Sequence, residues 1–130
     1  MSNEPIIACN PGAIAASDRS AHVDLSKEIF STANILEVKE LANGYSFRLP
    51  PETPMIHKVA QFIANERLCC SFFTFTLIVN DQLWLELTGT EDAKQIIKTD
   101  ILKIVDTGIF PTIEELQNTY DAAINGVKTN

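Results

Sequence analysis

Three cysteines and one carboxylate on an apolar helix face are the residues of this chain best placed to do chemistry. The stretch "ANERLCCSFFTF", Ala64 to Phe75, holds Glu66, Arg67, Cys69 and Cys70 beside three phenylalanines. At about 100° per residue, a helix running into this stretch carries Glu66 into the middle of an apolar stripe. Glu66 follows Ile63 by three residues, Phe62 by four and Val59 by seven. Burial disfavours the charged carboxylate, so Glu66 needs a partner, hydrogen bonds or a raised pKa. The structural account is an ion pair with Arg48 or Arg67, or a helix end that lifts Glu66 into water. The functional account is a general base, with Glu66, Cys69 and Cys70 as the catalytic candidates.

Cys70 continues the same stripe, four residues after Glu66, and Cys69 lies at its edge. Buried cysteine often acts as a small apolar plug, which suits Cys70 better than Cys69. A bridge between the two would be strained, because adjacent Cα atoms stand about 3.8 Å apart and disulfides favour roughly 4.4–6.8 Å. A helix C-terminus also disfavours a thiolate, with Arg67 opposing that effect. The third cysteine, Cys9, lies far away in "IIACNPG". Cys9, Cys69 and Cys70 together would make a trigonal sulfur site for a soft metal or metalloid ion such as Hg(II), As(III), Cu(I) or Cd(II). No CxxC or HxxxH pattern supports a four-ligand zinc site. The two histidines, His22 and His57, look badly placed to serve the thiols, and His57 is expected on a wet face.

The elements that must position these residues follow from periodicity. The first stretch, through Ala16, is apolar and small, with a turn at Pro11-Gly12. A helix from Ser17 would bury Ala21, Leu25 and Ile29, broadened by Val23 and Phe30, and end near Asn34. "ILEVKELANGYSFRLP" reads as a hairpin turning at Asn43-Gly44, where positive φ is needed. That turn pairs Ala42 with Tyr45, Glu40 with Phe47 and Val38 with Leu49. It puts Leu36, Val38, Tyr45, Phe47 and Leu49 on the core face, with Glu40 as the exception there. Pro50-Pro51 stops the second strand. A helix then runs from Glu52 to about Leu68, with Thr53 as N-cap, Pro54 at its first position and Met55, Ile56, Val59, Phe62 and Ile63 as its stripe.

"SFFTFTLIVNDQLWLELTG" is a second hairpin. A three-residue loop, Asn80 to Gln82, brings Phe73, Phe75, Leu77 and Val79 onto one face with Leu83, Leu85 and Leu87. Ile78 and Trp84 then share the far face, partly covered or open to another chain. Thr90 caps a helix to about Val105 on Ala93, Ile96, Ile97, Ile101 and Ile104. Pro111 opens a last helix with Ile113, Leu116, Tyr120, Ala123 and Val127 recurring. The expected fold is therefore α+β. An antiparallel four-stranded sheet in ββαββα order carries helices on one face, with an N-terminal and a C-terminal helix added. One domain would span residues 1–130, with a core over about 17–105 and a helical extension over about 111–127.

Composition narrows the function classes. At 130 residues the chain is long enough for one cored domain, and 45% hydrophobic with 21% charged residues is ordinary globular composition. A net charge of -7 disfavours nucleic-acid partners. No apolar run is long enough to span a membrane, and the first residues do not read as a secretory signal. A cytoplasmic location with reduced thiols is the expectation. No phosphate-cradling glycine loop or nucleophile elbow is present, and no organic cofactor is expected.

The assembled pattern resembles a group of small bacterial domains that carry Glu-Arg-x-Cys-Cys-x-Phe after an amphipathic helix. These occur alone or appended to MerR-type metal-responsive regulators. "ERLCCSFFTF" carries the motif with Glu66, Arg67, Cys69, Cys70 and Phe72 to Phe75. "ELANGYSFRLP" matches the hairpin through Glu40, Gly44, Tyr45, Phe47, Arg48 and Pro50, and "LWLELTG" matches the last strand with its Thr88-Gly89 exit. An early cysteine such as Cys9 fits too, and the resemblance covers about Cys9 to Val105. Ser71 stands where the group often has proline, and the helix after Pro111 lies outside the pattern, as does any DNA-binding region. The resemblance implies a thiol-based sensing or binding role. The expected function is a module that binds a soft metal or metalloid, or senses redox state, through the Cys69-Cys70 pair with Cys9. The alternatives are a homodimerising interaction domain, using the last helix or the Trp84 face, and a cysteine- or glutamate-dependent enzyme.

Overall fold

A computed structural model describes residues 8–128. The chain enters through two short 3-10 turns, Pro11–Ala13 and Ala16–Asp18, before helix α1, Arg19–Ile29. Strands β1, Glu37–Leu41, and β2, Gly44–Leu49, form the first hairpin. Helix α2, Thr53–Cys69, leads to the second, made of β3, Thr74–Val79, and β4, Leu83–Thr88. Helix α3, Glu91–Ile96, passes through a π-helical segment, Ile97–Ile101, into α4, Leu102–Thr107, and α5 spans Ile113–Lys128. The protein is thus α+β with an antiparallel four-stranded sheet. Across that sheet the strands run β1-β2-β4-β3, out of chain order, so the two hairpins meet through their second strands.

The second hairpin has the expected three-residue loop. Val79 pairs with Leu83, Leu77 with Leu85 and Phe75 with Leu87, which places all six on one face. Leu83, Leu85 and Leu87 are fully buried there with Tyr45, Phe47 and Leu49 from β2. Ile29 and Phe30, then Val59 and Phe62 of α2, then Ala93 of α3 and Ile97 pack into the same core. On the far face Trp84 pairs with Ile78. It is covered by the Lys39 ammonium, 4.6 Å above its ring, and donates its indole N–H to Gln82 Oε1 at 3.0 Å.

The first hairpin differs from the expected register by two positions. Leu41 pairs with Gly44 and Glu40 with Tyr45, so the turn is Ala42-Asn43. Among the described residues only Gly108 has a positive φ, so Asn43-Gly44 is not a left-handed turn. Gly44 is needed for another reason. A Cβ there would lie 2.0 Å from the Leu87 carbonyl oxygen, so glycine lets β2 lie against β4. The shift is an even number of positions, and each residue keeps its face. Even so, Leu36 and Val38 are 46% and 38% exposed, because β1 is an edge strand at the margin of the helical cover. Glu40, the odd polar residue on that face, pairs with Lys94 Nζ at 2.8 Å across the sheet edge.

The helices also depart from the expected boundaries. Helix α1 buries His22, Ser26 and Ile29, while Ala21 is exposed, so its inward stripe is rotated from the expected one. Its end comes at Ile29, earlier than Asn34, whose side-chain amide donates to the Glu28 carbonyl at 2.8 Å. In α2 the N-cap is Glu52 and Thr53 is already helical. The π-helical segment has a sequence cause. The apolar pairs Ile96-Ile97 and Ile101-Leu102 repeat at five residues. A wider π turn returns such a repeat to one face, where an α-helix would rotate it away.

Gly108, at φ 72°, ends α4, and its N–H donates to the Ile104 carbonyl at 2.8 Å. Helix α5 starts with a reciprocal capping box: Glu115 N–H donates to Thr112 Oγ1, and Thr112 N–H donates to Glu115 Oε1, both at 3.1 Å. It folds back over α1 and the Pro11–Ala13 turn. The Val127 side chain and the start of the apolar N-terminal stretch lie outside the described residues. Gly44→Ala should lower stability by about 3 kcal/mol, since the new methyl meets backbone on β4. The denaturant midpoint checks this, and a midpoint equal to that of the parent protein would contradict the close approach.

Candidate functional site

Helix α2 delivers the site. Cys70 leaves the helical path at φ -116°, ψ 68°, while its N–H still donates to the Glu66 carbonyl at 2.7 Å. This break at the helix end lets adjacent cysteines serve one locus, which a continuing helix would forbid. Phe73 N–H then donates to the Cys70 carbonyl at 3.2 Å and turns the chain into β3.

The N-terminal segment lies against this helix end. Asn10 N–H donates to the Cys69 carbonyl at 2.8 Å, and Asn10 Oδ1 caps the following turn by accepting from Gly12 N–H at 3.1 Å. Arg19 holds the same segment, donating to the carbonyls of Ile14 at 2.9 Å, Pro11 at 3.0 Å and Gly12 at 3.3 Å. Ile14 anchors it in the core. The result is convergence: the Sγ atoms of Cys9, Cys69 and Cys70 all lie within 4.8 Å of one another and could hold a metal ion.

Cys9 and Cys70 are joined by a disulfide, with their Cα atoms 4.5 Å apart. This corrects the expectation of reduced thiols throughout. Cys69 is the free thiol and is buried. Burial, reinforced by the nearby Glu66 carboxylate, pushes its pKa up to about 12, against the opposing effect of the Asn10 backbone N–H. Near neutral pH it is a protonated thiol, and not an activated nucleophile.

Glu66 does have the buried partner its position demands, but neither expected arginine supplies it. Arg48 pairs with Glu37 at 3.1 Å on the far face, and Arg67 Nε donates to the Ala64 carbonyl at 3.2 Å. The partner is His22, whose Nε2 stands 2.8 Å from Glu66 Oε1. His22 is 6% exposed and stacks on Phe62, with ring centroids 5.5 Å apart. With Glu66 as a carboxylate, Nε2 carries the hydrogen. His22 Nδ1 is then buried without a partner among the described residues. His22 thus serves Glu66, a pairing the sequence reading does not assign to it, whereas His57 is exposed as expected. The signal for His22 in the sequence is its spacing, four residues before Ser26 and seven before Ile29.

Beside the sulfurs and the Glu66–His22 pair lies a cavity of about 550 Å³. Its walls come from α1, α2, the π-helical segment, α4, α5 and the N-terminal segment. Phe30, Phe62, Ile101, Ile104, Phe110 and Leu116 are among its apolar lining residues. The chain matches no protein-family model, no curated protein and no solved structure. Among the described residues no helix is long and apolar enough to cross a membrane.

Two outcomes test this geometry. The disulfide closes a loop with a sequence separation of 61, so reduction should lower stability by about 4 kcal/mol on chain-entropy grounds. Denaturant unfolding with and without a dithiol reductant measures this. The Cys69 shift has a definite sign. The folded state holds its proton above the ordinary value of 9.0, so the contribution is complete below pH 9 and fades as pH rises toward 12. Stability of the oxidised protein should fall across that window by at most about 1.4 kcal/mol per pH unit. Replacing Cys69 with Ser should remove this part of the decline.

Proposed function

We propose that the protein is a thiol module that binds a soft metal or metalloid ion through Cys9, Cys69 and Cys70 when they are reduced. Formation of the Cys9–Cys70 disulfide would switch this binding off. The supporting observation is the convergence of sulfurs from segments far apart in sequence to within 4.8 Å. A core that needed only small apolar plugs would not bring all three cysteines to one point. Trigonal sulfur coordination suits As(III), Hg(II) and Cu(I), which accept three soft donors without demanding a fourth. Burial of Cys69 keeps its thiol protonated until a soft ion displaces the proton, so binding of a bare Hg(II) or Cu(I) ion releases protons and strengthens with pH, whereas As(III) hydroxide carries the thiol protons away as water.

The disulfide favours a redox role for the same residues. Oxidation consumes two of the three sulfurs, so metal-loaded and oxidised states exclude each other. An enzyme using a cysteine nucleophile fits less well, because the free thiol is pushed up to about 12 and the other two sulfurs are bonded.

Titration of the dithiol-reduced protein with As(III) or Hg(II), followed by thiolate-to-metal absorption, tests the proposal. One equivalent should saturate the signal. Cys9→Ser, Cys69→Ser and Cys70→Ser should each weaken As(III) binding by at least about tenfold, or about 1.4 kcal/mol. Unchanged affinity in Cys69→Ser or Cys70→Ser would sink it. Prior oxidation to the Cys9–Cys70 disulfide should abolish the trigonal signal.

A further inference from the structure

We infer that the cavity beside the cysteines is the pocket for the organic group of a ligand whose soft atom the cysteines bind, with a monosubstituted aryl arsenical as the ligand class. This rests on the thiol reading above and specifies its substrate. Three sulfurs would suffice for a bare ion. What they adjoin is a space of about 550 Å³, large enough for an aromatic ring and far larger than an ion requires. Its walls are mostly aromatic and aliphatic, with Phe30, Phe62 and Ile104 among them, and Cys9, Cys69 and Cys70 also line it. Among its polar lining residues, Glu66 and His22 are bonded to each other. Arg19, Ser26, Asp100, Lys103 and Glu115 also border the space, but most of the surface a ring would meet is apolar, which favours an aryl group over a small one. Helix α5 adds Ile113 and Leu116 to the lining.

The chemistry balances without an oxidant. A dithiol reductant first gives two electrons and two protons to the Cys9–Cys70 disulfide and becomes a disulfide itself. An arylarsenous acid then exchanges its two arsenic-bound hydroxyls for two cysteine sulfurs. Each new As–S bond displaces one hydroxyl, which leaves as water with the thiol proton. The aryl–arsenic bond stays intact and the ring enters the cavity, while the third cysteine remains a thiol. Inorganic arsenite can use all three sulfurs in the same way, with loss of three waters.

The reduced full-length protein is titrated with phenylarsenous acid, methylarsenous acid and arsenite, each against dithiothreitol as competing dithiol. Phenyl should bind at least about tenfold tighter than methyl after the preference of dithiothreitol itself is subtracted, from the apolar area removed from water. Leu116→Trp, which fills the cavity from α5, should erase that preference and leave arsenite affinity unchanged. Thr119→Trp, at an exposed position bordering the cavity, repeats the test if Leu116→Trp does not fold by circular dichroism. Equal binding of phenyl and methyl with intact arsenite binding overturns this inference and leaves the thiol reading standing. A phenyl preference that survives in the folded variants also overturns it. Failure of all three arsenicals to bind the folded, reduced protein overturns the thiol reading itself.

Discussion

The attachment of the N-terminal segment to the end of α2 is the constraint on which the rest of the site depends. Without it, Cys69 and Cys70 would close a helix whose last turn faced only the core. With it, a third sulfur arrives from a segment 61 positions away, and a cavity forms between that segment and the helices above it. The attachment is redundant. A disulfide, the Asn10–Cys69 backbone hydrogen bond, the Arg19 guanidinium on three carbonyls and buried Ile14 all hold it. Breaking the disulfide therefore removes one of several restraints. The remaining contacts keep the sulfurs near one another, which a site that works in the reduced state requires.

Polar pairing sets the wall behind the sulfurs. Glu66 and His22 come from different helices, and each would be costly to bury alone. Together they fix α1 against α2 at the level of the cysteines, with Phe62 stacked on the imidazole. The carboxylate also adds to the upward push on the Cys69 pKa. A negative group beside a cluster of potential thiolates disfavours adding more negative charge. A cation or a neutral electrophile that removes thiol protons meets no such penalty. The local field thus favours binding a soft electrophile over generating a free thiolate nucleophile.

The sequence made the sheet more legible than the site. Alternation in "TFTLIVNDQLWLEL" has a single arrangement that gives a clean apolar face, and the three-residue loop followed from it. The first hairpin was harder, because Asn43-Gly44 carries a strong turn pattern while Gly44 is needed for close approach to Leu87, a tertiary demand that local chemistry does not reveal. Glu66 could be recognised as anomalous from its own helix, since periodicity alone puts it among Val59, Phe62 and Ile63. Its partner could not be read in that way. Placing His22 required knowing that α1 turns His22, Ser26 and Ile29 fully inward, leaves Leu25 at the margin of the core and exposes Ala21, and helix periodicity left that rotation ambiguous because both stripes share Ile29.

The last helix links these observations. Residues 111–127 looked like an appendage, since the fold closes at about Val105 and the resemblance ends there. In the folded chain α5 packs on α1 and the Pro11–Ala13 turn, the elements that carry His22 and hold Cys9 in place. It therefore roofs the cavity and braces the segment that brings in the third sulfur. A ligand ring in that cavity would touch α5 while its soft atom touched the end of α2. Occupancy would then couple α2 and α5 directly. Differential affinity for two arrangements is what the proposed sensing role would require, and α5, which lines the cavity, is one element where such a difference would arise.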